Sequence, residues 1–455
     1  MILTCRKHIR SYGMPVMCVI MAFVLCANAG STVATRAGIS WEVSQFVRSS
    51  NARSGSPTDT TWLNGYWVQR ISTVFRIDAR AGDRLSGYIE YYGSILFTLP
   101  DEGSDRSNQV RQGIGTMRAA CIEYVLSEDA FPDAGFRAGY FPFDYAPENR
   151  IIGEYLLKTG TYPGYVISEE DDWPVLGMHA FVRFPRILRH DIIVNIEMEQ
   201  RPQGDLSFAY LARLGRGRVF ELDAGVVLHR VLRSRQAASA QVNGFERWPI
   251  REPVYDSRGD RSAWDTTGWY QKAGTKVLGR AVFDPKKLMP FDRLGPEDLK
   301  LYAEACVLGV KDYDGYYDDI TERVPGMVGV NLPAFGLLDV LSVEAEYYGS
   351  LWKNNPCGDG RPVPDESFEY QTTATGSIAG FRTIEHPSEG AGRKARTDNI
   401  KWSAYAMKTI SDRLSVSARV ASDHFRPGRE AGAAPVERIH APGEFYWSVR
   451  VETVF

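Results

Sequence analysis

EFYWSVRVETVF, residues 444–455, closes the chain on strict alternation. Phe445, Trp447, Val449, Val451 and Phe455 are apolar, with Thr453 in the same series, whereas Tyr446, Ser448, Arg450 and Glu452 fall between them. A period of two places the two sets on opposite faces of one β-strand. Chain ends normally fray because nothing ties them down. A terminal stretch with one oily and one polar face predicts instead a last strand held firmly in a sheet.

The same pattern recurs upstream. Leu414, Val416, Ala418 and Val420 alternate with Ser415, Ser417 and Arg419, and Leu341, Val343, Ala345 and Tyr347 with Ser342, Glu344 and Glu346. Leu299, Leu301, Ala303, Ala305 and Val307 oppose Lys300, Tyr302 and Glu304; Phe220, Leu222, Ala224, Val226 and Leu228 oppose Glu221 and Asp223. Ile192, Val194, Ile196 and Met198 oppose Asn195, Glu197 and Glu199, and near the start Trp67, Ile71, Thr73, Phe75 and Ile77 oppose Arg70, Ser72, Arg76 and Asp78. These runs fit a strand and not a helix of period 3.6.

A soluble sandwich also alternates, so connection length decides between the two. Short links near 79–83, 127–132, 185–189, 214–217, 334–337 and 411–413 take turns with long ones near 49–62, 100–110, 142–174, 231–274, 312–322, 350–398 and 425–443. Two links break the rule: 201–204 is short and 284–297 is long. The fold class predicted is all-β, a transmembrane antiparallel β-barrel of about 16 strands, between roughly 14 and 18 once boundary errors are allowed for. The string Glu-Tyr-Tyr-Gly-Ser occurs at 90–94 and 346–350 and is expected at two strand ends before long loops, with its tyrosines at headgroup height.

Composition agrees with that class. The 455 residues carry a formal net charge of -3, which gives no basic field for nucleic acid. Mean hydropathy is -0.27, the modest value that a barrel reaches by averaging a wet lumen with an apolar exterior. The N-terminus supplies Arg6, Lys7 and Arg10, a short apolar run and Ala27-Asn28-Ala29, so residues 1–29 read as a secretory signal peptide and 30–455 as the barrel. Cys121, Cys306 and Cys357 then remain, too scattered for a disulfide framework.

The alternating last strand, with Trp447 and a final Phe455, resembles the carboxyl-terminal assembly signal of bacterial outer-membrane β-barrels. The resemblance covers the signal peptide, the strand pattern and the terminal motif. It implies short periplasmic turns, long extracellular loops, the outer membrane of a Gram-negative cell, contact with outer-membrane lipids and with barrel-assembly machinery, no cofactor, and a monomer or trimer. The implied function is a porin-like channel for passive diffusion of small hydrophilic solutes. A rival reading is a non-conducting surface barrel whose aromatic long loops bind polysaccharide or another cell surface.

The polar face nominates pore-lining residues: Arg70, Arg76, Glu90, Arg118, Glu197, Glu199, Glu221, Asp223, Glu304, Glu344, Glu346, Arg419 and Arg450. Carboxylates predominate in the inward set, which predicts a weak preference for cations. Residues 142–174 break the alternation, are rich in Pro and Gly and end in Glu169, Glu170, Asp171 and Asp172. They form a candidate constriction loop folded into the lumen, with a solvated outer loop as the plainer reading. Asp312, Asp314 and Asp318 are weak metal candidates because their spacing misses the calcium-loop pattern. No His is placed beside a nucleophile or an orienting acid in any hydrolase motif, so an enzyme is not expected.

Overall fold

In a computed structural model the strands close on themselves. The structure describes residues 32–47, 67–99, 111–127, 133–150, 152–156, 174–184, 188–197, 205–215, 217–232, 247–255, 261–271, 274–288, 293–307, 309–310, 320–347, 368–372, 378–383, 400–422 and 445–455. In chain order the strands are β1 (Thr32–Val47), β2 (Trp67–Ala81), β3 (Leu85–Leu99), β4 (Arg111–Ser127), β5 (Asp133–Pro142), β6 (Pro174–Phe184), β7 (Leu188–Glu197), β8 (Asp205–Leu214), β9 (Phe220–Leu232), β10 (Arg247–Tyr255), β11 (Arg261–Gln271), β12 (Gly274–Phe283), β13 (Leu301–Val307), β14 (Gly326–Asn331), β15 (Val340–Tyr347), β16 (Phe368–Thr372), β17 (Ile378–Thr383), β18 (Ile400–Ser411), β19 (Leu414–Ala421) and β20 (Phe445–Val454). Sixteen form one closed antiparallel barrel, β1 to β9, β12 to β15 and β18 to β20. The hairpins β10–β11 and β16–β17 are separate two-stranded sheets within the long connections after β9 and β15.

Closure is made by the terminal stretch. β20 pairs with β1 from Gly38 opposite Val454 to Val47 opposite Phe445, and Ala37 and Phe455 exchange backbone hydrogen bonds of 3.2 and 2.7 Å. On the lumen side Glu42 of β1 accepts from Arg70 of β2 at 3.1 Å and from Arg450 of β20 at 2.8 Å. One carboxylate therefore ties the first, second and last strands together.

The two faces are inverted relative to a soluble domain. Trp41, Ile71, Phe75, Tyr91, Phe220, Leu222, Val328, Trp402 and Val449 are exposed on the outer face, and Ser44, Ser72, Asp191, Lys276, Arg280, Glu344, Lys401 and Ser448 are buried on the inner one. An oily exterior with every wall strand paired on both sides is what a sheet needs in lipid, where unpaired backbone groups find no water. A bulge between Glu90 and Tyr91 leaves Arg118 opposite no single partner and lets it reach Glu90 at 3.4 Å.

Two departures from the sequence reading have local causes. Glu90–Ser94 lies inside β3 and not at its end, because the alternation continues through Leu99; Tyr92 turns inward to share a hydrogen bond with Ser72 at 2.9 Å, and Tyr91 faces out. Glu346-Tyr347 does close β15. The β10–β11 hairpin lay within a segment read as loop, since Pro249 and Pro253 in β10 remove ladder donors and disguise a strand. The long link between β12 and β13 is organised by Asp298, whose carboxylate accepts from Gly295 N at 2.8 Å and Ala334 N at 3.2 Å while its carbonyl oxygen accepts from Lys286.

If Glu42 holds the seam, Glu42→Gln leaves Arg70 and Arg450 without their shared anion and should destabilise the folded barrel by about 2 kcal/mol. Urea unfolding in lipid vesicles measures this, and an unchanged midpoint would mean that backbone pairing alone seals β1 to β20.

Candidate functional site

β5 ends at Pro142, and the chain turns into the barrel. Pro142 and Pro147 cannot prolong a ladder, so the segment leaves the wall. Phe143, Tyr145, Ala146, Ile152, Tyr155 and Leu156 are buried in one cluster with the inward side chains Phe141, Val175, Ile193, Leu211, Val227, Leu278, Val282, Tyr302 and Met327. Several wall strands thus carry apolar residues on the inner face, where water would otherwise lie, and the loop covers them. Each fully covered side chain of this size contributes roughly 1.5–3 kcal/mol. Leu156, the last described residue of this stretch, rests on β9 at Gly225, where an added Cβ would stand 3.0 Å from Leu156 Cδ1.

Polar anchors fix the loop to the far wall. Glu304 of β13 accepts from Tyr145 Oη at 2.8 Å, Tyr155 N at 2.7 Å, Glu154 N at 3.1 Å and Asn149 Nδ2 at 3.1 Å. Gly153 and Glu154 both adopt positive φ, 96° and 57°, which turns successive backbone N–H groups toward that one carboxylate. Such a concavity binds an anion, here supplied by the protein itself. Glu344 of β15 accepts from Arg150 N at 2.7 Å, Ile152 N at 3.3 Å and Tyr302 Oη at 2.8 Å. Arg280 of β12 bridges Asp223 of β9 at 2.8 Å and Glu148 of the loop. Burial, with Glu304 beside it, pushes the Tyr145 hydroxyl well above the usual tyrosine range, so it remains a donor at neutral pH. Its oxygen also accepts from Leu156 N at 3.0 Å.

Beneath Phe143 lies a second buried group. Asp191 of β7 is fully buried and meets Arg189 at 2.8 Å, Arg213 at 3.1 Å and His179 Nε2 at 2.8 Å, while the His179 ring stands edge-on to Phe143 at 4.9 Å. Two arginines and a histidine thus converge on one carboxylate under the loop's first aromatic.

The sequence-nominated residues separate into groups. Asp223, Glu304, Glu344 and Glu346 occupy inward positions but lie under the loop, with 7, 2, 1 and 2 % exposure, so their carboxylates meet protein and not the passage. Arg70 and Arg450 share Glu42; Arg76 and Arg118 share Glu90 at 3.5 and 3.4 Å, and Arg76 also reaches Asp78 at 2.8 Å. Arg419 of β19 donates to Tyr446 Oη at 3.3 Å. Glu221 sits beside the β8–β9 turn and accepts from Gly217 N at 2.7 Å. Glu197 pairs with Asp205 at the end of β7, and its side chain lies outside the described residues, as do Glu199, Glu169, Glu170, Asp171, Asp172, Asp312, Asp314 and Asp318. Among the described residues no three potential metal ligands converge. Trp447 Nε1 donates to Gln45 Oε1 of β1 at 3.3 Å, and Phe455 is exposed at the barrel rim.

Sequence reasoning missed Lys276 and Arg280, although GTKVLGRAVF alternates them with Val277, Gly279 and Ala281. It also missed the anchoring partners Tyr145 and Asn149, which carry no local signal, because their partners lie about 150 residues away along the chain.

Glu304→Gln should free the loop: it replaces an anion that takes four donors by an amide. The expected readouts are proteolysis within 143–156 in the folded protein and a larger single-channel conductance; a protected loop with unchanged conductance would contradict the anchor. The raised Tyr145 makes loop docking fully favourable below about pH 10 and progressively weaker above it. Protease accessibility against pH tests this, and Tyr145→Phe should flatten the profile.

No protein-family model matches the sequence, and no curated protein does. Among solved structures it is similar to Salmonella typhi OmpF in complex with daunomycin, at 11% identity and a TM-score of 0.43 over 94% of this chain and 99% of that one. It is similar also to Pseudomonas putida OprB, at 11% and 0.43 over 95% and 96%, and to the outer membrane channel DcaP of Acinetobacter baumannii, at 11% and 0.36 over 94% and 98%. At such identities and TM-scores the likeness carries no argument, and the fold rests on the strand pairing itself. Strand pairing, apolar exterior and polar interior make this chain a closed sixteen-stranded antiparallel β-barrel of the membrane-spanning kind.

Proposed function

We propose that the protein is an outer-membrane channel for passive diffusion of small hydrophilic solutes, exported through a signal peptide at residues 1–29. The passage runs between the inward loop and the wall built by β1 to β4 and β18 to β20. One observation carries this reading: the loop forms a dry core against one side of the barrel, while the other side keeps its charged groups in contact with solvent. Arg76, Arg118 and Arg450 retain 32, 26 and 31 % of their side-chain surface. A polar wall of this kind replaces part of a solute's hydration without binding it tightly, which is what conduction needs.

The cation preference expected from all inward carboxylates depends on Asp223, Glu304, Glu344 and Glu346, which lie beneath the loop. Charge preference therefore belongs to the remaining wall.

Purified protein inserted into a planar lipid bilayer should give discrete conductance steps that scale with salt concentration. Cysteine placed at Arg118 should react with a bulky water-soluble thiol reagent and reduce the current, whereas cysteine at Leu278, inside the loop's core, should not. Protein that inserts and never conducts would reject the reading.

A further inference from the structure

We infer that the link between β12 and β13 is a strap that sets the width of the passage, by holding Glu148 and Arg150 of the inward loop through a chain of six alternating charges. The inference rests on the diffusion-channel reading above. This link is the exception at its end of the barrel: β8 passes to β9 and β18 to β19 through short turns, whereas β12 ends at Phe283 and β13 begins only at Leu301. A long joint that keeps its own structure is commonly a functional one.

Several fastenings make it a strap and not a slack loop. In a 3-10 turn at Pro285–Leu288, Lys286 and Lys287 meet the Asp284 carboxylate at 3.3 and 3.5 Å, and Lys287 also donates to Arg218 O beside the β8–β9 turn at 3.3 Å. Lys286 donates further to Pro296 O at 2.9 Å and to Asp298 O, which draws the two arms of the strap together. Leu299 takes a φ of 61°, a conformation that a residue with a Cβ keeps only where its surroundings impose it. Asp298 turns to the β14–β15 link through Ala334 N, while Glu297 and Lys300 reach the loop inside the barrel.

The charges form a line. Asp223 of β9 pairs with Arg280 of β12 at 2.8 Å, Arg280 with Glu148 of the loop, Glu148 with Lys300 of the strap at 3.8 Å, Lys300 with Glu297 at 2.7 Å, and Glu297 with Arg150 of the loop at 3.5 Å. Acid and base alternate from end to end, so every contact along the line is attractive. Exposure rises along it. Asp223, Arg280 and Glu148 keep 4, 2 and 9 % of their side-chain surface, against 15, 29 and 18 % for Lys300, Glu297 and Arg150. Breaking a buried pair is costly and breaking a wetter one is not, so the half made by the strap is the half that yields first.

Arg150 stands where that half meets the passage. Glu344 fixes its backbone N–H, and its guanidinium lies 5.9 Å from the centre of the Tyr405 ring on β18, a strand of the passage wall. The strap thus governs the side chain that spans the gap between loop and wall. Without Glu297 and Lys300 the guanidinium can swing away from β18, and the gap widens although Glu304 still holds the rest of the loop.

Neutral polyethylene glycols of graded size, added during single-channel recording in a planar bilayer, test this, because the largest polymer admitted reports width and is indifferent to charge. Lys300→Met and Glu297→Gln should each admit larger polymers than the wild type and raise the conductance, with folding checked by urea unfolding in lipid vesicles. Lys408→Met removes a positive charge at the same end of the barrel, where it meets Asp339 at 3.1 Å, and should leave the cut-off unchanged. Conductance steps with an unaltered or smaller cut-off in folded Lys300→Met and Glu297→Gln would overturn the strap and leave the channel intact, as would an equal shift in Lys408→Met. A wild type without steps would remove the channel reading itself.

Discussion

Every backbone donor and acceptor in the lipid-facing wall must be satisfied within the protein, and the exchange of hydrogen bonds between β1 and β20 is what completes that condition. An open edge would leave a column of unpaired groups facing hydrocarbon. The remaining features follow from closure. The alternation of each strand sends one set of side chains to lipid and the other to the lumen, and the short links between paired strands keep the register that preserves this division. Glu42, placed at the seam, converts closure into side-chain chemistry by joining three strands through two arginines.

Closure also creates the problem that the loop after β5 addresses. A barrel of sixteen strands encloses more space than its wall side chains fill. In this chain part of the inner wall is apolar and part is charged, and the loop lies on the apolar part as a lid lies on a core. Its backbone would be left unsatisfied there if the wall offered only hydrocarbon. Glu304 and Glu344 supply acceptors at the points where the loop turns its N–H groups outward. Buried carboxylates are costly without donors, and loop N–H groups are costly without acceptors, so each removes the other's penalty.

The wall was legible in the sequence because its signal is local. A period of two needs only neighbouring residues, and Phe220 to Leu228 or Leu341 to Tyr347 announce both strand and face without reference to anything distant. Strand ends were less legible: Glu90–Ser94 looks terminal until the residues up to Leu99 are seen to continue the same ladder. The site was least legible. Glu304 and Glu344 announce themselves as inward acids, but nothing in their neighbourhoods says whether water or a loop will meet them. That depends on pairings such as Tyr145 with Glu304 and Arg150 with Glu344, separated by 159 and 194 positions along the chain. Charge in the passage could not be counted until those pairings were known.

These separations constrain the order of assembly. The loop follows the fifth strand, yet its acceptors arrive on strands made much later, so it has nowhere to dock until β13 and β15 have joined the sheet. Until then Phe143, Ile152 and Leu156 have only the apolar residues of the strands up to β9 to lie against, and the loop's N–H groups have no acceptors. An unfinished barrel therefore leaves the loop's backbone N–H groups without their carboxylates, a cost that only the later strands remove.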